Sequence, residues 1–300
     1  MTQTPVIRPL APIVKKIRPG RLVTHLILMS YSVVALFPIF LIALNSFKDR
    51  RSLFRAPYQP PIWFSTEDGF KIVNIFSLSG YEQVFARADI FLYFRNSLIV
   101  TLMALLLIVL TGSMASHALA EYNFRGSRLI GLYLALGIMI PIRLGTVSLI
   151  RLMNSLGIYD TLLALILVYA ATGLPIAVFV LTEFMRTVPK ELKDAARVDG
   201  ASEYWILFRV IMPLIRPALA TVITFNMIPI WNDLWFPLTL APSDQVRTVT
   251  LGLSSFAGQY KTDWTALLAA LALAAIPVLL LYTLFSRQFI EGLTRGAVKQ

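Results

Sequence analysis

Polar chemistry in this chain is concentrated in one stretch. Residues 189–217 read P-K-E-L-K-D-A-A-R-V-D-G-A-S-E-Y-W-I-L-F-R-V-I-M-P-L-I-R-P, between segments that are mostly apolar. Interleaved acids and bases make ion pairs and hydrogen bonds, the chemistry of recognition. A polar loop of roughly thirty residues in such surroundings is expected to serve a function, most simply as a dock for another protein. Bond-making chemistry finds no support elsewhere. The chain has no cysteine and two histidines, His25 and His117, too few for a His-rich metal site. No apolar segment holds a His-Asp or His-x-x-x-His grouping, and no G-x-x-x-x-G-K-[ST] phosphate cradle occurs. The expectation is therefore no catalytic residue, no metal site and no cofactor in this chain.

The elements that must position the loop follow from composition. Of 300 residues, 57% are hydrophobic and only 14% charged, with mean hydropathy +0.71. Soluble domains carry about 25% charged residues. The predicted class is an all-α polytopic membrane protein, since strand alternation is absent. Six segments are apolar over the ~20 residues that a span requires: 22–44, 93–115, 129–150, 161–184, 214–239 and 264–286. The net charge of +11 is read as basic flanks of spans, not as a nucleic-acid surface, because no basic stripe with interleaved aromatics appears.

Arg8, Lys15, Lys16, Arg18 and Arg21 place residues 1–21 in the cytoplasm, and six spans return residues 287–300 to the same side. The first apolar run is too long for a signal-peptide core and is expected to stay as an anchor. Lys48, Arg50, Arg51 and Arg55 oppose this topology, since they would lie outside. Two outer loops are expected, at 45–92 and 240–263, the first long enough to be a packed element.

Within the polar loop, Pro189 and Glu191 suit the first turn of a helix. Leu192, Ala195, Ala196 and Asp199 share one face, with Lys190, Lys193, Asp194 and Arg197 on others. Gly200 suits a left-handed stop. Ser202 can cap a second helix with Glu203 in its first turn and Tyr204, Leu207, Phe208 and Ile211 as its apolar face. Pro213 and Pro217 mark the return into the membrane. A helix lying on lipid headgroups is the competing reading, disfavoured by the mixed charges.

This segment resembles the EAA loop of permeases of ATP-binding-cassette (ABC) importers, whose pattern is E-A-A, three residues, G, nine residues, I-x-L-P. Here the chain has Asp194-Ala195-Ala196, Gly200 and Val210-Ile211-Met212-Pro213, with Asp194, Val210 and Met212 departing conservatively. Phe94-Arg95-Asn96-Ser97, Leu174-Pro175, Trp231-Asn232-Asp233 and residues 155–161 (S-L-G-I-Y-D-T) further resemble the MalG-like carbohydrate permeases. The resemblance implies a type I ABC importer permease fold in a bacterial inner membrane, with a cytoplasmic EAA coupling loop at 185–213. It implies that Glu191, Asp194, Ala195, Ala196, Asp199, Gly200 and Pro213 couple to the ATPases. The implied partners are a homologous sister permease as heterodimer, two ATP-binding subunits that hold the ATP and Mg, a periplasmic solute-binding protein and a sugar-type substrate.

Polar groups inside spans default to pathway candidates. Asn226, Trp231, Asn232, Asp233 and Trp235 in the fifth span have the types that bond or stack on sugars, and Arg143 lies near the outer end of the third. Their bland alternatives are an interfacial aromatic belt for the tryptophans and snorkelling for Arg143 and Arg151, either of which could instead pair with Asp160. Pro38, Pro141, Pro175, Pro229 and Pro277 are expected to kink or break spans. His25 and His117 are assigned to packing or headgroup contact. A different cargo, such as an amino acid, peptide or anion, is the rival reading. An ion-coupled secondary transporter is disfavoured because the centres of spans one, two, four and six carry no ionisable residue.

Overall fold

The computed structural model describes residues 19–65, 71–258 and 262–297. Helix α1 (Pro19–Asn45) is apolar, exposed from Val23 to Phe40 and buried at its end, at Leu44 and Asn45. It ends in a packed element rather than a bare turn: α2 (Arg50–Arg55), strands β1 (Ile62–Ser65) and β2 (Lys71–Asn74), and α3 (Ser79–Arg87). The strands pair antiparallel in register Ile62↔Asn74 to Ser65↔Lys71. The fold is mostly helical, as expected, and among the described residues this hairpin is the departure, where I-W-F-S and K-I-V-N carry the β-branched and aromatic side chains that favour strands.

This element also explains part of the basic cluster that argued against the topology. Lys48 is fully buried. Its Nζ donates to Asn45 Oδ1 (2.8 Å) and to the Ala56 carbonyl (2.8 Å), clipping the end of α1 to the turn after α2. A cation held by packing reports the local fold and not the membrane side.

Helix α4 (Ile90–Glu121) opens at the Asp89 side chain, which accepts from Leu92 N (3.1 Å), and runs well beyond the predicted 93–115. Its partner is α7 (Leu162–Arg186). The two meet on small residues, as helices in a bilayer do when packing has to replace hydrophobic drive. A Cβ on Gly112 would stand 3.1 Å from Ala177 Cβ, and one on Gly173 would collide with Asn226 and Ile108. Ser116 Oγ donates across the seam to the Val178 carbonyl (3.3 Å).

The predicted third span, 129–150, is not one helix. It is α5 (Ser127–Met139), a 3₁₀ turn over Ile142–Gly145 and α6 (Thr146–Ser155), bent by 87°. Pro141 supplies the reason: Ile140 before it is extended (ψ 121°), and Pro141 has no N–H to continue the ladder. Beyond α6 the S-L-G-I-Y-D-T stretch becomes a connector. Gly157 (φ +69°) closes α6 with Gly157 N to Asn154 O and Ile158 N to Met153 O, and Thr161 Oγ1 caps α7 at Ala164 N.

The predicted span 214–239 is also divided. Helix α8 (Lys190–Val198) precedes α9 (Glu203–Trp205), which continues through a π-helical turn over Ile206–Ile211 into α10 (Met212–Leu214). This composite lies at 84° to α11 (Arg216–Asn232), so the bend falls between Pro213 and Pro217 as expected. Helix α11 stops at Asp233 and is followed by α12 (Trp235–Leu240), α13 (Val249–Ser254) and α14 (Trp264–Ala297). One core lies among α4, α7, the π turn and α11; a second lies among α3, α4, α13 and α14.

Helices α3 and α14 cross at Gly80, where a Cβ would stand 2.6 Å from the Thr265 carbonyl oxygen. Gly80→Ala should lower the stability of the purified chain by about 1–3 kcal/mol. Gly131→Ala, whose Cβ meets nothing within 4 Å, should leave it unchanged or slightly raised. Equal thermal unfolding midpoints for the two variants would contradict this packing.

Candidate coupling loop and pathway residues

Helix α8 has two unlike sides. Pro189 is its N-cap residue rather than a member of the first turn, and Glu191 sits in that turn. At the other end Gly200 (φ +78°) adopts the left-handed conformation. Gly200 N donates to Arg197 O and Ala201 N to Ala196 O, each 3.0 Å, a Schellman closure. Glu191, Leu192, Asp194, Ala195 and Asp199 face solvent, as does Val198 at 88% exposure. Ala196 alone of the predicted small face turns inward, packing on the main core.

The inward side is ionic. The Lys193 side chain is 5% exposed and pairs with Glu121, the last residue of α4, whose side chain is 8% exposed. Arg197 bonds Glu121 Oε2 (3.1 Å), Glu203 Oε1 (2.7 Å) and Asp194 Oδ1 (2.9 Å). His117, one turn before Glu121, donates from Nε2 to Glu203 Oε2 (3.2 Å). Arg197, helped by Tyr122 and His117 and opposed by burial, holds the Glu203 carboxyl down at about 2. This cluster nails both halves of the loop to the end of α4. Burial of the charges is tolerable because Glu121 and Glu203 each meet more than one donor.

The second helix enters as predicted, with Ser202 Oγ accepting from Trp205 N (3.3 Å). Its apolar face differs. Ile206, Leu207 and Ile211 are buried, whereas Tyr204 is 65% exposed. Met212 N reaches back five residues to Leu207 O, and Pro213 has no N–H to offer, so the turn widens and rotates the face.

The pathway candidates separate into two groups. Asn226 is buried, with Nδ2 donating to Val222 O (2.9 Å) and its amide oxygen against Gly173. Trp231 is buried between α4 and α14, donating from Nε1 to Ala274 O (3.3 Å). Asp233 is the pin at the break of α11. It accepts from Tyr169 Oη (2.9 Å), Phe236 N (3.0 Å), Trp235 N (3.3 Å) and Arg143 Nη2 (3.3 Å). Arg143 therefore pairs with Asp233 and not with Asp160, which instead accepts from Ser243 N (3.1 Å). Asn232, Trp235 and the Arg143 side chain remain exposed, and Trp235 Nε1 donates to Thr146 Oγ1 (3.0 Å).

Residues 108–294 match the family described as binding-protein-dependent transport system inner membrane component. The chain belongs to this family. The permease is 32% identical over 279 residues to the diacetylchitobiose uptake system permease protein NgcG of Streptomyces coelicolor, covering 92% of this chain and 88% of that one. It is 32% identical to the arabinooligosaccharides transport system permease protein AraQ of Halalkalibacterium halodurans, covering 89% and 92%. Its fold is similar to a chain of a bacterial ABC transporter involved in the import of the acidic polysaccharide alginate. The TM-score is 0.74 at 20% identity, covering 94% of the permease and all of that chain. Family membership places the permease in the inner membrane as the transport component rather than as the ATPase.

The sequence reading missed the inner half of the loop. Glu121 and Tyr122 are not singled out there, Lys193 and Arg197 are placed on the helix without a role, and His117 is assigned to packing or headgroup contact. The available signal was a lone acid, Glu121, closing a long apolar run.

Glu121→Ala should cost the permease about 3–5 kcal/mol, because Lys193 is left buried without a partner. Hydrogen exchange over residues 190–214 should rise with it, and unchanged protection would refute the anchoring role. Because the Glu203 carboxyl is depressed from its ordinary 4.5 to about 2, its contribution is fully present above pH 4.5. It should fade as pH drops from there toward 2. Loop protection in Glu203→Gln should be flatter across that window than in the parent.

Proposed function

We propose that this permease forms half of the translocation pathway of an ABC importer for a sugar or sugar derivative. In this reading it receives work from cytoplasmic ATPases through residues 185–213. The observation that carries the proposal is the two-sided α8: an ionic inner face locked to α4, and an open outer face of Glu191, Leu192, Asp194, Ala195, Val198 and Asp199. A partner that moves the outer face must move α4, because the linkage runs through buried ion pairs and a closed Schellman turn. A rigid lever of this kind can bias a membrane element between two arrangements.

The rest of the assembly follows from that reading. Two ATP-binding subunits hold the ATP and Mg and dock on Glu191, Asp194, Ala195, Ala196, Asp199, Gly200 and Pro213 of this chain and on their equivalents in a sister permease. A periplasmic solute-binding protein meets the outer element at 45–92. Six spans, with both termini cytoplasmic, come from α1, α4, the bent α5–α6 pair, α7, α11 and α14. Relatives named for diacetylchitobiose and arabinooligosaccharide uptake support a saccharide cargo. Asn232, Trp235 and Arg143 are the exposed candidates for cargo contact. Asn226, Trp231 and Asp233 would act by shaping the fifth span around them.

Gly200→Asp tests the docking role. At φ +78° with open space around it, an aspartate can be accommodated for about 1 kcal/mol. The fold should survive while a charge is placed at the tip of the loop. Cargo-stimulated ATPase activity of the assembled transporter in lipid should fall by at least about tenfold, equivalent to ~1.4 kcal/mol of lost coupling. Thermal unfolding should shift only slightly. Normal transport by this variant would sink the proposal, and stimulation by an amino acid but by no saccharide would sink the cargo class alone.

A further inference from the structure

A groove of about 460 Å³ opens between α5, the end of α4 and the last turns of α7, on the coupling-loop side. It is graded along its length. Leu134, Val178 and Phe179 line one part, whereas Asn123, Ser127, Arg128, Arg186 and one acid, Glu183, line the other. Ser127 and Arg128 begin α5, whose N-cap, Gly126, brings no side-chain acceptor to the first turn, although Ser127 N donates to the Phe124 carbonyl (3.1 Å). A helix start of this kind favours an anion. Arg128 makes no ion pair among the described residues, and Arg186 has only the exposed Glu183 (2.8 Å). A separate observation points the same way. Thr182 also lines the groove, is 8% exposed, and its hydroxyl has no hydrogen-bond partner among the described residues.

We propose that this groove binds an anionic phospholipid. Its phosphate lies against Arg128, Arg186 and the start of α5, and an acyl chain lies along Leu134, Val178 and Phe179. The inference rests on the membrane-spanning reading and goes beyond the transport role. Charge at one end and hydrocarbon at the other suit a lipid of the adjacent leaflet. A saccharide would need hydrogen-bonding groups along its whole length, and free phosphate would leave the apolar wall uncovered. Bound there, the lipid would bridge α5 and α7 beside the loop that α7 feeds.

The test uses native mass spectrometry of the full-length permease in its assembled transporter, titrated with dioleoyl phosphatidylglycerol or dioleoyl phosphatidylcholine. The phosphatidylglycerol adduct should be retained at least about fivefold better. Arg128→Gln should weaken it several-fold, whereas Arg125→Gln, exposed and outside the groove, should not. Gly131→Leu should weaken it too with both arginines intact, because Gly131 lines the groove, a Cβ there meets nothing within 4 Å, and the rest of the leucine would occupy the space of the acyl chain. Inorganic phosphate at millimolar concentration should fail to displace the adduct. Equal retention of the two lipids, equal loss in Arg125→Gln and Arg128→Gln, or displacement by phosphate would each overturn the proposal. So would displacement by the transported saccharide. Uptake by the Gly131→Leu transporter, measured in parallel, separates this outcome from failure of the transport reading.

Discussion

Glu121 sits where an apolar helix meets a charged loop, and its two oxygens are shared by Lys193 and Arg197. A carboxylate at 8% exposure is unfavourable alone, and so is a lysine at 5%. Together, with Arg197 extending the pairing to Glu203, they become a junction that holds the loop against the end of α4. The inward roll of α8, the outward display of Leu192, Ala195 and Val198, and the entry angle of α9 all follow from that junction. Removing either Glu121 or Lys193 would leave the other buried with less charge compensation, which gives the junction its stiffness.

The junction needs a firm base, and α4 has one in α7. Gly112, Ser116, Gly173 and Ala177 bring the two backbones close, so the pair behaves as a single slab. Against the slab, α1 and α14 run unbroken through Pro38 and Pro277, whereas two other stretches are broken where prolines and one acid demand it. Pro141 divides α5 from α6, and Asp233 ends α11 by drawing Tyr169, Phe236 N and Arg143 to its carboxylate. Rigid and jointed parts therefore alternate along the chain.

Much of this was legible from residue types. Apolar runs located the helices, because a bilayer supplies no alternative partner for their backbone groups. Gly200, Ser202 and the pair Pro213 and Pro217 marked the turn, the cap and the bend of the loop, since each acts through its own backbone or its immediate neighbours. The division at Pro141 was legible as a proline, though its 87° size was not. The hairpin at β1 and β2 was missed because four-residue strands give too short an alternation to stand out.

What the amino-acid sequence determined by itself was everything that depends on local chemistry: membrane residence, the loop's existence and its internal caps, and the absence of a phosphate cradle. What only the tertiary structure decided was which charges face each other. Glu121 and Lys193 are 72 residues apart, and Arg143 and Asp233 are 90 apart. Nothing in the spacing chooses Asp233 over Asp160 for Arg143, or turns Lys193 inward and Val198 out. Coulombic attraction acts through space. A pair distant in sequence exists only after the close α4–α7 contact and the break at Asp233 have set the two ends side by side.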